Sequence, residues 1–372
     1  MHPDSEAALA EAIRAANAPL RILGGGTRPI GRPVDGEALS VAGLTGITLY
    51  EPGALTIVAR AGTPLAEIEA ALAEAGQRLP FEPMDHRALL GTHGTPTIGG
   101  VVAANVSGPR RVQAGAARDS LIGVRFVDGT GTIVKNGGRV MKNVTGYDLV
   151  KLMAGSYGTL GVLSEVSFKV LPAPGTQATL VLPGLGDARA VAAMALALTS
   201  PFEVSGAAHL PGRGTFLRLE GLAASVAYRT GALRDRLRDL GAPRVLDDPV
   251  EGTAIWASIR DVADFAGKDG DVWRISVKPS DAPGLVARLP APLGVIYDWG
   301  GGLIWALMPQ GTDLRAALGA FKGHATLIRA SAETRAQLPV FHPEPAPIAA
   351  LAAGLRARFD PRGILNPGLM AC

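Results

Sequence analysis

The sequence predicts an α+β protein of two domains, and three observations predict it. The chain has 372 residues, and a domain usually takes about 100–200. Strand-like runs, helix-like apolar stripes and hairpin turns are mixed through the chain. Near the middle, Pro172-Ala173-Pro174-Gly175 breaks the pattern and marks a boundary. The expected division is residues 1–172, residues 173–345, and a C-terminal segment over 346–372.

In the first part, Ser5 caps a short helix whose apolar residues are Leu9 and Ile13. Leu20-Arg21-Ile22-Leu23 is a strand that runs straight into Gly24-Gly25-Gly26-Thr27-Arg28-Pro29. Thr56 to Ala61 is a second strand. Thr63-Pro64 opens a helix with proline in its first turn; Leu65, Ile68 and Leu72 form its stripe and Gly76 closes it. Gly123 to Val127 and Thr132 to Val134 form a hairpin around Asp128-Gly129-Thr130-Gly131. Asn143 to Ala154 is predicted helical. Val162 to Leu171 alternates, with Val166, Phe168 and Val170 on one face and Glu165, Ser167 and Lys169 on the other.

The second part reads as strand Thr179–Leu182, an Ala-rich helix from Asp187, strands Val204–Leu210 and Thr215–Glu220, and a helix Ser225–Leu240. Strand Val272–Lys278, a hairpin over Gly294–Pro309, helix Asp313–Phe321 and strand Ala325–Ala330 follow. A helix Ile348–Phe359 leads into Asn366-Pro367-Gly368.

Composition narrows the function. Net charge is +3, and charges of both signs interleave, as in Arg234-Asp235-Arg236-Leu237-Arg238-Asp239. That is a solvated helix face, not a nucleic-acid footprint. The single cysteine, Cys372, can form neither an internal disulfide nor an Fe–S or zinc site. The N-terminus lacks an apolar signal core, and no apolar run approaches ~18 residues. A cytoplasmic protein is expected, touching the inner membrane only through partners.

Three glycine-rich turns carry the functional reading. Gly24-Gly25-Gly26-Thr27 follows a strand, where glycines let several backbone N–H groups converge on an anion. Pro29 and Pro33 block the helix that a dinucleotide fingerprint of the G-x-G-x-x-G type requires, and no Lys-Ser/Thr follows as in a P-loop. Thr97-Ile98-Gly99-Gly100 opens a helix, where free N–H groups would face an anion, and Ala103 and Ala104 keep the surface low for a flat ring. Gly155-Ser156-Tyr157-Gly158-Thr159-Leu160-Gly161-Val162 delivers the chain into a strand. Each turn alone also reads as ordinary punctuation; their order and spacing point to a nucleotide.

The segment from Asn143-Val144-Thr145-Gly146-Tyr147-Asp148-Leu149 through Gly161-Val162-Leu163-Ser164-Glu165-Val166 resembles the FAD-binding PCMH-type flavoproteins of the vanillyl-alcohol oxidase superfamily, in their D-lactate and glycolate dehydrogenase branch. Gly108-Pro109-Arg110-Arg111, Val140-Met141-Lys142-Asn143, Trp273-Arg274-Ile275-Ser276, Asp298-Trp299-Gly300-Gly301, Gly323-His324-Ala325-Thr326 and Asn366-Pro367-Gly368 are similar to the FAD-binding subunits of bacterial glycolate oxidases.

The resemblance implies a PCMH-type FAD-binding domain of two α+β subdomains over 1–172. A smaller α+β cap would follow over 173–345, and the segment 346–372 would return to the FAD domain. It implies that Gly24, Gly25, Gly26, Thr27 and Arg28 hold the FAD pyrophosphate. Thr97, Gly99, Gly100 and Ala103 would run beside the dinucleotide and ring, Gly161 and Val162 would meet the adenine or ribose, and Asn366 would return toward the flavin. Some relatives attach FAD covalently through a His in the first loop; Thr27 and Arg28 stand there, so non-covalent binding is expected. His86 and His93 are expected near the flavin.

Relatives with a metal site carry a His pair and a Glu-His-Gly run in the cap. Here Gly323-His324-Ala325 lacks the Glu, so no metal site is expected and no catalytic residue is assigned. A hydroxy acid needs a cation for its carboxylate and a base for its hydroxyl; Arg274, Lys278 and Arg329 are the candidate cations. The resemblance implies partners: a second flavin subunit carrying the metal motif, and an Fe–S subunit. Glycolate would be oxidised to glyoxylate in the complex. Two alternatives stay open: a self-sufficient FAD-linked D-2-hydroxy-acid dehydrogenase, and a non-enzymatic assembly subunit with a flavin-type fold.

Overall fold

The computed structural model describes residues 1–138, 146–246 and 248–371. Val140 to Asn143, the first residues of the helix expected from Asn143, and Cys372 lie outside them. Ser5 caps the first helix, Glu6–Ala15, its hydroxyl accepting from the Ala8 amide at 3.2 Å. Leu9 and Ile13 are fully buried on its inner face. They pack on β1 (Leu20–Leu23), which pairs in parallel with β2 (Glu37–Ser40). Leu20 also bridges in parallel to Leu365, so the C-terminal segment lies beside β1.

The next unit is a five-stranded antiparallel sheet. Its strands come from β3 (Ile47–Glu51), β4 (Thr56–Arg60), β6 (Leu121–Val127), β7 (Ile133–Gly137) and β8 (Val162–Lys169), in the order β3-β4-β8-β6-β7; β5 (Gln77–Arg78) pairs separately with β9 (Leu171–Pro172). The helix Leu65–Glu74 buries Leu65, Ile68 and Leu72, as its stripe predicts, and Gly76 follows at φ +64°. The alternation expected of β8 holds only in part. Ser167 is buried beside Val166 and Phe168, because β8 is the central strand and both of its faces are covered. The helix expected up to Ala154 is observed as Leu149–Met153, capped by the Asp148 carboxylate.

Beyond β9 the chain builds an eight-stranded antiparallel sheet. It contains β10 (Thr176–Leu182), β11 (Gly206–Leu210), β12 (Gly214–Gly221), β13 (Arg244–Val245), β14 (Asp271–Val277), β15 (Gly294–Asp298), β16 (Leu303–Met308) and β17 (Gly323–Arg329). The order is β13-β10-β12-β11-β15-β16-β14-β17. Asp187–Leu198 and Ala223–Leu237 are helices near their expected places. A helix over Pro249–Asp261 is additional; Asp248 caps it, and Trp256 anchors it by donating from its indole to Thr179 Oγ1 at 3.0 Å.

A cluster of charges joins the two sheets' domains. Arg218 of β12 donates twice to Glu82, each bond 2.8 Å, and Arg110 reaches Glu82 at 3.1 Å and Glu220 at 2.6 Å. Arg78 closes on Glu220 at 2.7 Å. Opposite charges and hydrogen bonds satisfy one another here, as groups removed from water require.

Candidate functional site

β1 ends in the first glycine turn, and the backbone explains each glycine differently. A Cβ on Gly25 would stand 1.5 Å from the Thr95 carbonyl oxygen, and one on Gly24 would stand 2.6 Å from Thr97 Oγ1. These two glycines therefore permit close approach of the segment 94–97. Only Gly26 adopts positive φ, at +70°. Among the described residues, no protein acceptor takes a hydrogen bond from the backbone amides of residues 24–28. Amides left free in this way are available to an anion.

The second turn corrects an expectation. The first amides of the helix Ile98–Ala103 are not free: Ile98 donates to the Thr63 carbonyl at 3.0 Å, Gly99 to the Ala61 carbonyl at 2.8 Å, and Gly100 to Thr97 Oγ1 at 3.3 Å. The helix start is satisfied by its own cap and by the end of β4, so the glycines serve close packing instead. A Cβ on Gly99 would lie 2.7 Å from that of Ala61. With Gly100, Ala103 and Ala104, the helix becomes a low floor.

The third turn supplies the opposite wall. A Cβ on Gly161 would meet the Phe126 ring at 2.6 Å, so the chain enters β8 flush against β6. Asn366 ties this wall together. Its Oδ1 accepts from the Ile22 amide at 2.8 Å, and its Nδ2 donates to the Tyr157 carbonyl at 2.8 Å. Gly24, Gly25, Gly26, Thr27, Arg28, Thr97, Gly99, Gly100, Ala103, Gly161, Val162 and Asn366 all line one cavity of about 390 Å³. Arg28 sits there with its side chain turned away from the glycine turn: Nε donates to His86 Nδ1 at 3.2 Å and Nη2 to the Met84 carbonyl at 3.4 Å.

A second cavity, of about 710 Å³, shares Ile30, Ala104 and Tyr157 with the first and is lined on its other side by residues of the eight-stranded sheet. Arg111, Arg118 and Arg274 make it cationic. Burial pushes the Arg274 guanidinium down to about 10, which leaves it charged at neutral pH. It stands 5.1 Å from the Trp299 ring centroid, and Arg111 stands 4.5 Å from the same ring. Trp299 is held at φ +53°, with its indole donating to the Gly108 carbonyl at 3.0 Å. Among the described residues no hydrogen bond is made by the Arg274 guanidinium, which lines the cavity.

Three histidines line the same cavity. Burial, then the charge of Arg28, pushes His86 down to about 3. Nδ1 of His86 lies 3.2 Å from Arg28 Nε and 3.3 Å from the Met84 carbonyl oxygen, and the ring is neutral. His324 is lowered by burial and by Arg274, and His342 by burial and by Arg315.

The expected cations separate clearly. Arg274 faces the cavity. Arg329 is spent on the backbone carbonyls of Leu89, Phe265, Lys268 and Gly270, and Lys278 is exposed outside both cavities. His93 is exposed and lines neither cavity, whereas His86 lines the second cavity and not the first. Sequence reasoning missed Tyr157, which at φ +52° stands where the cavities meet. The signal was a bulky residue between Ser156 and Gly158 in a glycine turn. It also missed the grouping of His324 and His342 with Arg274, which no spacing along the chain reveals.

A family model described as an FAD binding domain matches residues 1–137. Glycolate oxidase subunit GlcE of Escherichia coli (strain K12) is 38% identical over 355 residues, which is 95% of this chain and 92% of that protein. Glycolate oxidase subunit GlcD of Bacillus subtilis (strain 168) is 44% identical over 85 residues, 23% of this chain and 18% of that protein. The solved structure of 4-ethylphenol oxidase from Gulosibacter chungangensis shares the fold, with a TM-score of 0.71 at 13% identity, covering 100% of this chain and 88% of that one. Fold and cavity thus define an FAD-binding flavoprotein of the PCMH type. Within that class, the chain belongs to the family of GlcE, the FAD-binding glycolate oxidase subunits. No helix among the described residues is long and apolar enough to cross a membrane.

Proposed function

We propose that this chain is the FAD-binding subunit of a glycolate oxidase complex. FAD is held non-covalently along the first cavity, glycolate is oxidised to glyoxylate, and the electrons pass to an Fe–S partner. The observation that carries this reading is the continuity of the two cavities: free amides at 24–28 open one end, and the unpaired Arg274 stands at the other. Bound FAD supplies a two-electron acceptor for the C–H bond that breaks.

The protein's own residues bind and orient the acid. Arg274 takes the carboxylate through its planar fork. His324, lowered from the ordinary imidazole range by partial desolvation and by Arg274, takes the hydroxyl proton. The low floor of Gly100, Ala103 and Ala104 admits a flat ring. A cluster that takes the electrons would belong to a partner, because an Fe–S cluster needs several thiolates and the chain has one cysteine.

The test is an absorbance spectrum of the purified chain, alone and co-purified with the metal-motif flavin subunit and the Fe–S subunit. The expected protein is yellow; glycolate bleaches it once, and steady turnover appears only with the partners. A colourless protein that ignores added FAD overturns the reading, as does flavin that glycolate leaves unbleached in the full complex. Steady turnover by the chain alone favours the self-sufficient D-2-hydroxy-acid dehydrogenase instead.

A further inference from the structure

We infer that the exposed face of the helix Ala346–Phe359 is the docking surface for the Fe–S subunit. The partner's identity rests on the function proposed above; the surface does not. The helix runs for 14 residues and none of them is buried. Ile348, Leu351 and Leu355, spaced to share one face, are 49%, 67% and 40% exposed. No other helix of the described residues presents three large exposed apolar side chains. Scattered single exposures are ordinary, whereas a contiguous stripe marks an interaction site.

The helix is also poorly supported by its own chain. A helix of ~12–15 residues is marginal in water unless it packs an apolar face, and Gly354 in its middle weakens it further relative to Ala. Its last residue, Phe359, is anchored 6.0 Å from the ring of Phe126, while the face ahead of it meets solvent. A bound protein supplies the burial that the helix lacks.

Position selects the occupant. Pro345 and Ile348 form part of the wall of the 710 Å³ cavity, so the face continues directly from the mouth of that cavity. A subunit seated there seals the mouth from water and sits beside the place where electrons arrive. From residue 346 to residue 359 the only charged side chains are Arg356 and Arg358. The fitting surface has an apolar centre and carboxylates placed against those two guanidiniums.

The experiment measures binding of the purified Fe–S subunit to the full, FAD-loaded chain. Leu351→Glu and Leu355→Glu should each weaken it at least about tenfold, as a buried charge at the centre of an interface does. Flavin absorbance per chain and the single bleaching by glycolate should stay unchanged. Arg358→Glu should weaken binding and flatten its dependence on salt. Wild-type affinity in Leu351→Glu overturns the inference. So does a loss confined to the metal-motif flavin subunit, or an effect limited to splitting a homodimer of this chain. A wild-type chain that takes no FAD, or that never binds the Fe–S subunit, fails before any variant is made; that failure belongs to the proposed function and removes this inference with it.

Discussion

Asn366 and Ile22 are joined by a 2.8 Å hydrogen bond from the Ile22 amide to the Asn366 side-chain oxygen, across nearly the whole length of the chain. The same side chain donates to the Tyr157 carbonyl, and Asn366 itself is 3% exposed. Asn366→Ala strips a partner from two backbone groups, at about 1–3 kcal/mol for each one left buried and unsatisfied. The expected result is a lower melting temperature and weaker FAD retention, read by thermal denaturation and by flavin absorbance. Asn366→Asp keeps the acceptor and loses the donor, so it should fall between the two.

Gly25 and Gly26 should respond unequally to the same methyl group. Gly25→Ala places a carbon against the Thr95 carbonyl oxygen with no flexible atom to move, and should yield protein without flavin. At Gly26 nothing lies within 4 Å of the added carbon, and only the positive φ resists it. Gly26→Ala should therefore cost ~1 kcal/mol and weaken FAD binding only several-fold. The ratio of flavin to protein absorbance after purification decides it.

The charge cluster predicts acid sensitivity. Burial alone would raise Glu82, but Arg218 and Arg110 overcome it and hold the carboxyl at about 2, below its ordinary 4.5. The folded state thus keeps Glu82 ionised where the unfolded chain binds a proton. Its stabilisation is complete above pH ~4.5 and is lost as pH falls toward about 2. Glu82→Gln should cost roughly 3 kcal/mol at neutral pH, since two buried arginines lose one of their two carboxylate partners. Its deficit against wild type should shrink between pH 4.5 and pH 2, measured by urea midpoints.

Arg274→Met should raise the glycolate concentration that half-bleaches the flavin by about 10- to 100-fold, the worth of a charged hydrogen bond of ~1.5–3 kcal/mol. FAD content should not change. Arg329→Met should do the reverse: it strands four backbone carbonyls, so the melting temperature falls while the bleaching concentration in surviving protein holds.

Residues that glycine announces were legible in the sequence. Gly24 to Gly26, Gly99, Gly100 and Gly161 each sit where a side chain would collide or where φ turns positive, and these demands write themselves into residue type. The role of Ile98 to Gly100 was misread, because the acceptors of their amides, at Ala61 and Thr63, lie in another turn that only folding brings near. The helix at Pro249 was overlooked, since Pro249 reads as a breaker unless Asp248 before it is recognised as the cap. Arg274, Trp299 and His324 come from β14, the end of β15 and β17, and the sheet order brings them to one cavity. Arg329 and Arg274 look alike along the chain, and only their partners tell them apart.

The pairing of Leu20 with Leu365 sets a schedule for biosynthesis. The strand leading into the glycine turn is made early, but its neighbour and the amide that clamps it are made about 340 residues later. The cleft cannot be finished until that late segment exists, and until then the nascent protein holds an open edge in need of shelter.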